Sequence, residues 1–98
     1  MNLIKKMYKE KIYLSKIIKD TYIQCETEKE VKILFKKLNK AGYKWNVGQR
    51  LIEEDNCWKI YGKNTCYSLN KKTGVTYCHI NKVKDKNLFK FKDVILFY

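Results

Sequence analysis

Residues 21–42 read TYIQCETEKEVKILFKKLNKAG. This stretch decides the fold class because its hydrophobic period changes once, at Thr27. Before Thr27, Ile23 and Cys25 alternate with Tyr22, Gln24 and Glu26. A period of two is that of a strand, here with Ile23 and Cys25 turned to the core. After Thr27, Val31, Leu34, Phe35 and Leu38 recur at helical spacing, with Ile33 beside them. Thr27 and Glu30 make a capping box, which satisfies backbone donors that a helix start leaves orphaned. The spacing predicts a helix from about Glu28 to Ala41, ended by Gly42 in a left-handed conformation. Lys29, Lys32, Lys36, Lys37 and Lys40 fall on much of the remaining surface.

Downstream of the helix, Gly42-Tyr43-Lys44-Trp45-Asn46-Val47-Gly48 reads as a connection. Tyr43 and Trp45 carry two readings there. Large rings in a small domain cap its core, and rings on a connection also make a stacking surface for a base. The second half is strand-like. Cys57–Tyr61 alternates Trp58 and Ile60 with Lys59 and Tyr61, and Gly62-Lys63-Asn64 supplies a turn. Thr65–Leu69 and Val75–Ile80 read as a hairpin around the loop Asn70-Lys71-Lys72-Thr73-Gly74, with its glycine at the special position. Leu88, Phe89 and Phe91, then Val94 to Phe97, predict a final strand or two, with Lys92-Asp93 as a turn.

Upstream, residues 2–19 show helical periodicity. Ile4, Met7, Tyr8, Ile12, Leu14 and Ile18 lie near one stripe, and Lys5, Lys6, Lys9, Lys16 and Lys19 fill much of the rest. The β-branched residues between Ile12 and Ile18 oppose that reading and favour extended chain. The expectation is therefore an α+β protein. An antiparallel sheet of about four to five strands packs one face on the capped helix of a domain at 20–98, with a basic amphipathic helix at 1–19 as an appendage.

The chain has 98 residues and a formal charge of +12, with 21 lysines and a single arginine, Arg50, against ten acids. Such a field favours a polyanionic partner. The scarcity of arginine argues against base-specific readout, because the guanidinium fork is the usual reader of guanine edges. A lysine-rich and arginine-poor composition is also what an AT-rich genome writes, so a merely solvated basic surface is the competing account. Basic residues alternate with aromatics at Lys59-Ile60-Tyr61 and Phe89-Lys90-Phe91-Lys92, a diffuse signal for nucleic acid. No apolar run is long enough to span a bilayer, and no secretory signal is read at the N-terminus. The four cysteines, Cys25, Cys57, Cys66 and Cys78, include no Cys-x-x-Cys pair. They are expected as free thiols in a reducing cytoplasm.

Catalysis has little support in the residues. His79 is the only histidine, so no cluster of histidines can hold a metal. Cys78 and His79 are strand neighbours and point to opposite faces; Cys66 reaches His79 only if the hairpin register allows it. Glu53, Glu54 and Asp55 form the only acid run, read as a solvated loop in preference to a cation site. No cofactor is expected.

Thr21-Tyr22-Ile23, Thr27-Glu28-Lys29-Glu30, Gly42-Tyr43-Lys44-Trp45-x-x-Gly48, and Cys66-Tyr67-Ser68-Leu69 after Trp58 together resemble small accessory proteins of phages and prophages of low-GC Gram-positive bacteria. The likeness covers roughly residues 21–98. It implies a class of proteins that act on the host cytoplasm by binding, among them anti-CRISPR and other anti-defence inhibitors. The resulting expectation is a non-enzymatic inhibitor of a bacterial defence system that works through a basic surface. The partner-binding residues would be Lys5, Lys6, Lys9 and Lys16 on the first helix and Lys36, Lys37 and Lys40 on the second, with Tyr43 and Trp45 as aromatic contacts. Its anionic partner would be a host defence protein, the guide or target nucleic acid of that protein, or a phosphorylated ligand. A homo-oligomer is compatible with the sequence, which does not assign self-association to either helix. A sequence-tolerant nucleic-acid-binding accessory protein and a nucleotide-messenger sponge are the alternatives.

Overall fold

A computed structural model describes residues 8, 11–14, 17, 20–52, 55–83 and 87–95. In chain order the elements are β1 (Ile12–Tyr13), β2 (Thr21–Cys25), α1 (Glu28–Lys40), α2 (Trp58–Tyr61), β3 (Thr65–Leu69), β4 (Thr76–His79), β5 (Leu88–Lys90) and β6 (Val94–Ile95). The four-stranded sheet has the order β4-β3-β2-β5, and β1 pairs separately with β6. No helix among the described residues is long and apolar enough to cross a membrane.

α1 forms where its cap and its spacing place it. Thr27 Oγ1 accepts from the Glu30 N–H at 3.2 Å, and the Glu30 carboxylate reaches back to the Glu26 N–H at 2.8 Å. Glu28 and Glu30 lie in the first turn and Lys37 and Lys40 in the last, so the charges oppose the helix dipole at both ends. Gly42, at φ +95°, carries the chain out. Val31, Leu34, Phe35 and Leu38 bury one side of the helix against Ile23, Cys25, Tyr67, Leu69 and Phe89 of the sheet.

β2 is the centre of the sheet. It runs antiparallel to β3, with Ile23 opposite Tyr67, and parallel to β5, with Ile23 opposite Phe89. The sheet is therefore mixed, which corrects the all-antiparallel expectation. The cause is connectivity. β4 and β5 run in the same direction on opposite edges, so the chain between them must cross the sheet. Its described part, Ile80–Val83, lies over the face away from α1, where Ile80 and Val83 bury with Cys66 and Leu88. That second core also covers Gln24, which is only 7% exposed. Gln24 compensates for its burial with two hydrogen bonds: its Oε1 accepts from the Tyr8 hydroxyl, and its Nε2 donates to the Lys63 carbonyl at 2.7 Å.

Two expected elements are different. Ile12 and Tyr13, expected in a helix, pair parallel with Val94 and Ile95. Leu14 and Ile17 then bury in the core beneath α1. Ile12, Leu14 and Ile17 thus pack with the same core as the sheet. The β-branched residues there favour extended chain, and the partner strand lies more than eighty residues away, where no local pattern reveals it. Lys5, Lys6, Lys9 and Lys16 of the expected helix lie outside the described residues.

The second difference is Trp58–Tyr61, expected as a strand and found as one helical turn. Asp55 Oδ1 accepts from the Cys57 N–H at 3.1 Å, and Asn56 Oδ1 accepts from the Trp58 N–H at 3.0 Å. These Asx contacts start a turn and override the strand-like alternation of the four residues that follow. The turn is tied to the sheet by Trp58 Nε1, which donates to the Cys25 carbonyl at 3.0 Å, and by the Tyr67 hydroxyl, which donates to the Asn56 carbonyl at 2.8 Å.

Candidate functional site

The core stripe of α1 forces its lysines to the outside. Lys29, Lys32, Lys36 and Lys40 are exposed, spaced three or four residues apart, and so share one face. No ion pair holds these four among the described residues. Lys37 is different: it is half-buried, has an interaction of its own, and belongs to the flank of the helix.

Beside that face runs an open groove of about 520 Å³ between α1 and Leu51, Ile52, Asp55 and Asn56. Phe35 and Leu51, 3% and 1% exposed, form its floor. Ile33 and Ile52, 38% and 53% exposed, present aliphatic surface to solvent along it. Lys29, Lys32 and Lys36 stand on the helix side, and Asp55 and Asn56 on the other. The far wall is held by the Tyr67–Asn56 hydrogen bond and the Asp55 turn, so the groove is built on the sheet itself. It combines a lysine row with exposed aliphatic side chains, and the one described acid on its lining is Asp55.

The expected site residues are thus divided. Lys36 and Lys40 lie on the exposed face of α1, with Lys37 on its flank. Lys5, Lys6, Lys9 and Lys16 are outside the described residues. Tyr43 and Trp45 are 3% and 7% exposed and belong to the core. Trp45 meets Phe35 edge-on at 5.3 Å and Tyr77 at 6.5 Å, and its Nε1 has no hydrogen-bond partner among the described residues. Both rings cap the core, and neither offers a free stacking face. Periodicity places Lys29 and Lys32 on the helix surface but does not assign them to a site. Leu51-Ile52 carry one sequence signal, an apolar pair flanked by Arg50 and Glu53.

All four cysteines are free thiols. The register sets Cys66 opposite Cys78 and His79 opposite Thr65, so Cys66 and His79 project from opposite faces and do not meet. Burial pushes the Cys25 and Cys78 thiols up, and burial together with the Asp55 carboxylate does the same to Cys57. Each therefore stays protonated, the opposite of an activated nucleophile. His79 Nδ1 accepts from the Asn81 N–H at 3.0 Å, which occupies that nitrogen locally. No group of three or more His, Cys, Asp or Glu side chains is placed to hold a metal among the described residues.

No protein-family model, curated protein or solved structure matches the chain.

Proposed function

We propose that this is a non-enzymatic binding protein that captures an anionic partner through the outer face of α1. The observation that carries the reading is the row Lys29, Lys32, Lys36 and Lys40: exposed, on one face and free of ion pairs among the described residues, with the first three bordering the groove. Lysines merely solvating a surface have no need to line an aliphatic channel. The resemblance to phage and prophage accessory proteins supports a partner drawn from a bacterial defence system, which the protein would inhibit. The capture surface rests on geometry, and the inhibitor role rests on that resemblance.

The test is binding of poly-glutamate and of a labelled single-stranded oligonucleotide across a salt series. Affinity for both should fall steeply with salt. Charge reversal at Lys29, Lys32 and Lys36 should weaken both and lower the salt slope for the oligonucleotide by about 2. Reversal at Lys63, Lys71 and Lys72, exposed elsewhere, changes net charge equally. If the two triple variants lose affinity equally, the charge acts only through its total and the α1 face is not the capture surface.

A further inference from the structure

We propose that Cys66 and Cys78 form a reversible redox pair, oxidised by a small-molecule disulfide to a cross-strand bond that locks β4 onto β3. The pair lies in the second core, on the face of the sheet away from α1, and does not depend on the capture surface. The register of β3 and β4 sets Cys66 directly opposite Cys78. Hydrogen bonding around the hairpin loop fixes the kind of pair. The Gly74 N–H donates to the Asn70 carbonyl at 2.7 Å. Val75 turns outward: its N–H donates to the Lys44 carbonyl, and its carbonyl accepts from the Asn46 N–H. By the alternation of the ladder, Thr76 and Cys78 then point their backbone groups at Ser68 and Cys66. Residues so paired have Cα atoms about 5.5 Å apart, a separation that disulfides favour.

Strand geometry also makes the bond reversible. Facing Cβ atoms in a hydrogen-bonded pair stand at the wide end of about 4.5–5.5 Å, whereas a disulfide holds them about 3.8 Å apart. Oxidation must therefore draw the strands together, and a disulfide strained in this way is readily reduced. β4 lies at the edge of the sheet, so it can move toward β3 without parting from a sheet strand beyond it. The two thiols differ in access, since Cys78 is half-buried and Cys66 fully buried. Cys78, as the thiolate, attacks one sulfur of glutathione disulfide, and one glutathione leaves as its thiolate. Cys66 then gives up its proton and attacks the Cys78 sulfur, displacing the second glutathione. Two protein thiols are oxidised to one disulfide, and one glutathione disulfide is reduced to two glutathiones, which take up the two protons. Burial pushes the Cys78 thiol up, so the exchange is slow at neutral pH and faster in alkali. Cys25 belongs to the main core and Cys57 to the start of α2, so neither competes for Cys66.

The experiment incubates the folded, reduced full-length protein with glutathione disulfide at about pH 8.5 and maps the products by peptide mass spectrometry. A Cys66–Cys78 crosslink should be the main product, and excess glutathione should remove it. Cys57→Ser should leave the crosslink unchanged, and Cys78→Ser should abolish it. In the oxidised protein, amide exchange at Thr76 and Cys78 should slow about tenfold, because the hairpin opens less often. The proposal is overturned if the native protein stops at a glutathione adduct of Cys78, remains unmodified, or links Cys57 in place of Cys66 or Cys78. It is also overturned if the crosslink forms only in urea, where register no longer sets the pairing. A crosslink that resists excess glutathione refutes the reversibility, and unchanged amide exchange refutes the lock.

Discussion

Replacing Gly74 with alanine should be among the most damaging single-methyl additions to this fold, for a reason that can be divided into parts. Gly74 sits at φ +100°, and a Cβ there would lie 2.6 Å from the Asn46 Cα, 2.7 Å from the Asn46 nitrogen and 2.8 Å from the Trp45 carbonyl carbon. These are backbone atoms and cannot swing aside. The same segments are pinned by the Asn46 N–H donating to the Val75 carbonyl at 3.0 Å and the Val75 N–H donating to the Lys44 carbonyl at 2.7 Å. The left-handed backbone alone costs an alanine about 1–2 kcal/mol. Forcing the two backbones apart adds about 1–3 kcal/mol, as overpacking does elsewhere. Gly48 supplies the control, since it has φ +91° and a Cβ added there would meet nothing within 4 Å among the described residues. Gly48→Ala should therefore show only the backbone cost. In urea unfolding monitored by tryptophan fluorescence, Gly74→Ala should be less stable than Gly48→Ala by about 2 kcal/mol. Equal losses would mean that the loop 70–74 and the 44–46 segment do not approach as described, and the account of the Trp45 cap would fall with it.

Three further outcomes follow from the packing. Thr27→Ala removes the side-chain acceptor for Glu30 N–H and should cost about 1 kcal/mol in the same unfolding assay, with no loss expected at the neighbouring exposed Lys29. Leu14→Ala should cost about 3 kcal/mol, because Leu14 is 3% exposed within the main core; a loss below about 0.5 kcal/mol would refute the packing of Leu14 in that core. Stability should also decline in alkali. Burial pushes the Cys25 thiol and the Tyr67 phenol up from ordinary values of 9.0 and 10.0, so the folded protein keeps protons that the unfolded chain releases. Their contribution is complete below about pH 9 and is lost above it at up to about 1.4 kcal/mol per pH unit per group. Cys25→Val should flatten that decline just above pH 9, and an unchanged slope would remove the thiol from the explanation.

The parts of the fold legible in the sequence were those encoded locally. Thr27, Glu30, the Val31–Leu38 stripe and Gly42 specify α1 within sixteen residues, and the alternation in Thr65–Leu69 specifies β3. The misread parts depended on distant partners or on side-chain contacts that alternation hides. Ile12 and Tyr13 are extended because Val94 and Ile95 lie beside them, and β5 is parallel because the crossing chain has to reach the far edge. Trp58–Tyr61 alternates like a strand, yet the side chains of Asp55 and Asn56 turn it. The candidate site divides in the same way. Lysines on α1 were visible from periodicity, whereas the far wall of the groove depends on the Asp55 turn and on the Tyr67 hydroxyl of β3 donating to the Asn56 carbonyl. Tyr43 and Trp45 admitted both a core and a surface reading until burial decided between them.

The central position of β2 has a consequence for how the chain is made. β2 leaves the ribosome first among the four sheet strands, yet Ile23 needs Tyr67 on one side and Phe89 on the other. For most of synthesis the middle of the sheet is a strand with two open edges, and α1 has only that strand to cover. The fold therefore closes late and through sequence-distant contacts, which slows folding relative to a locally wired helical protein of the same length. Until residues near Phe89 emerge, the nascent chain carries its central strand unpaired along at least one edge, which exposes it to pairing with other chains.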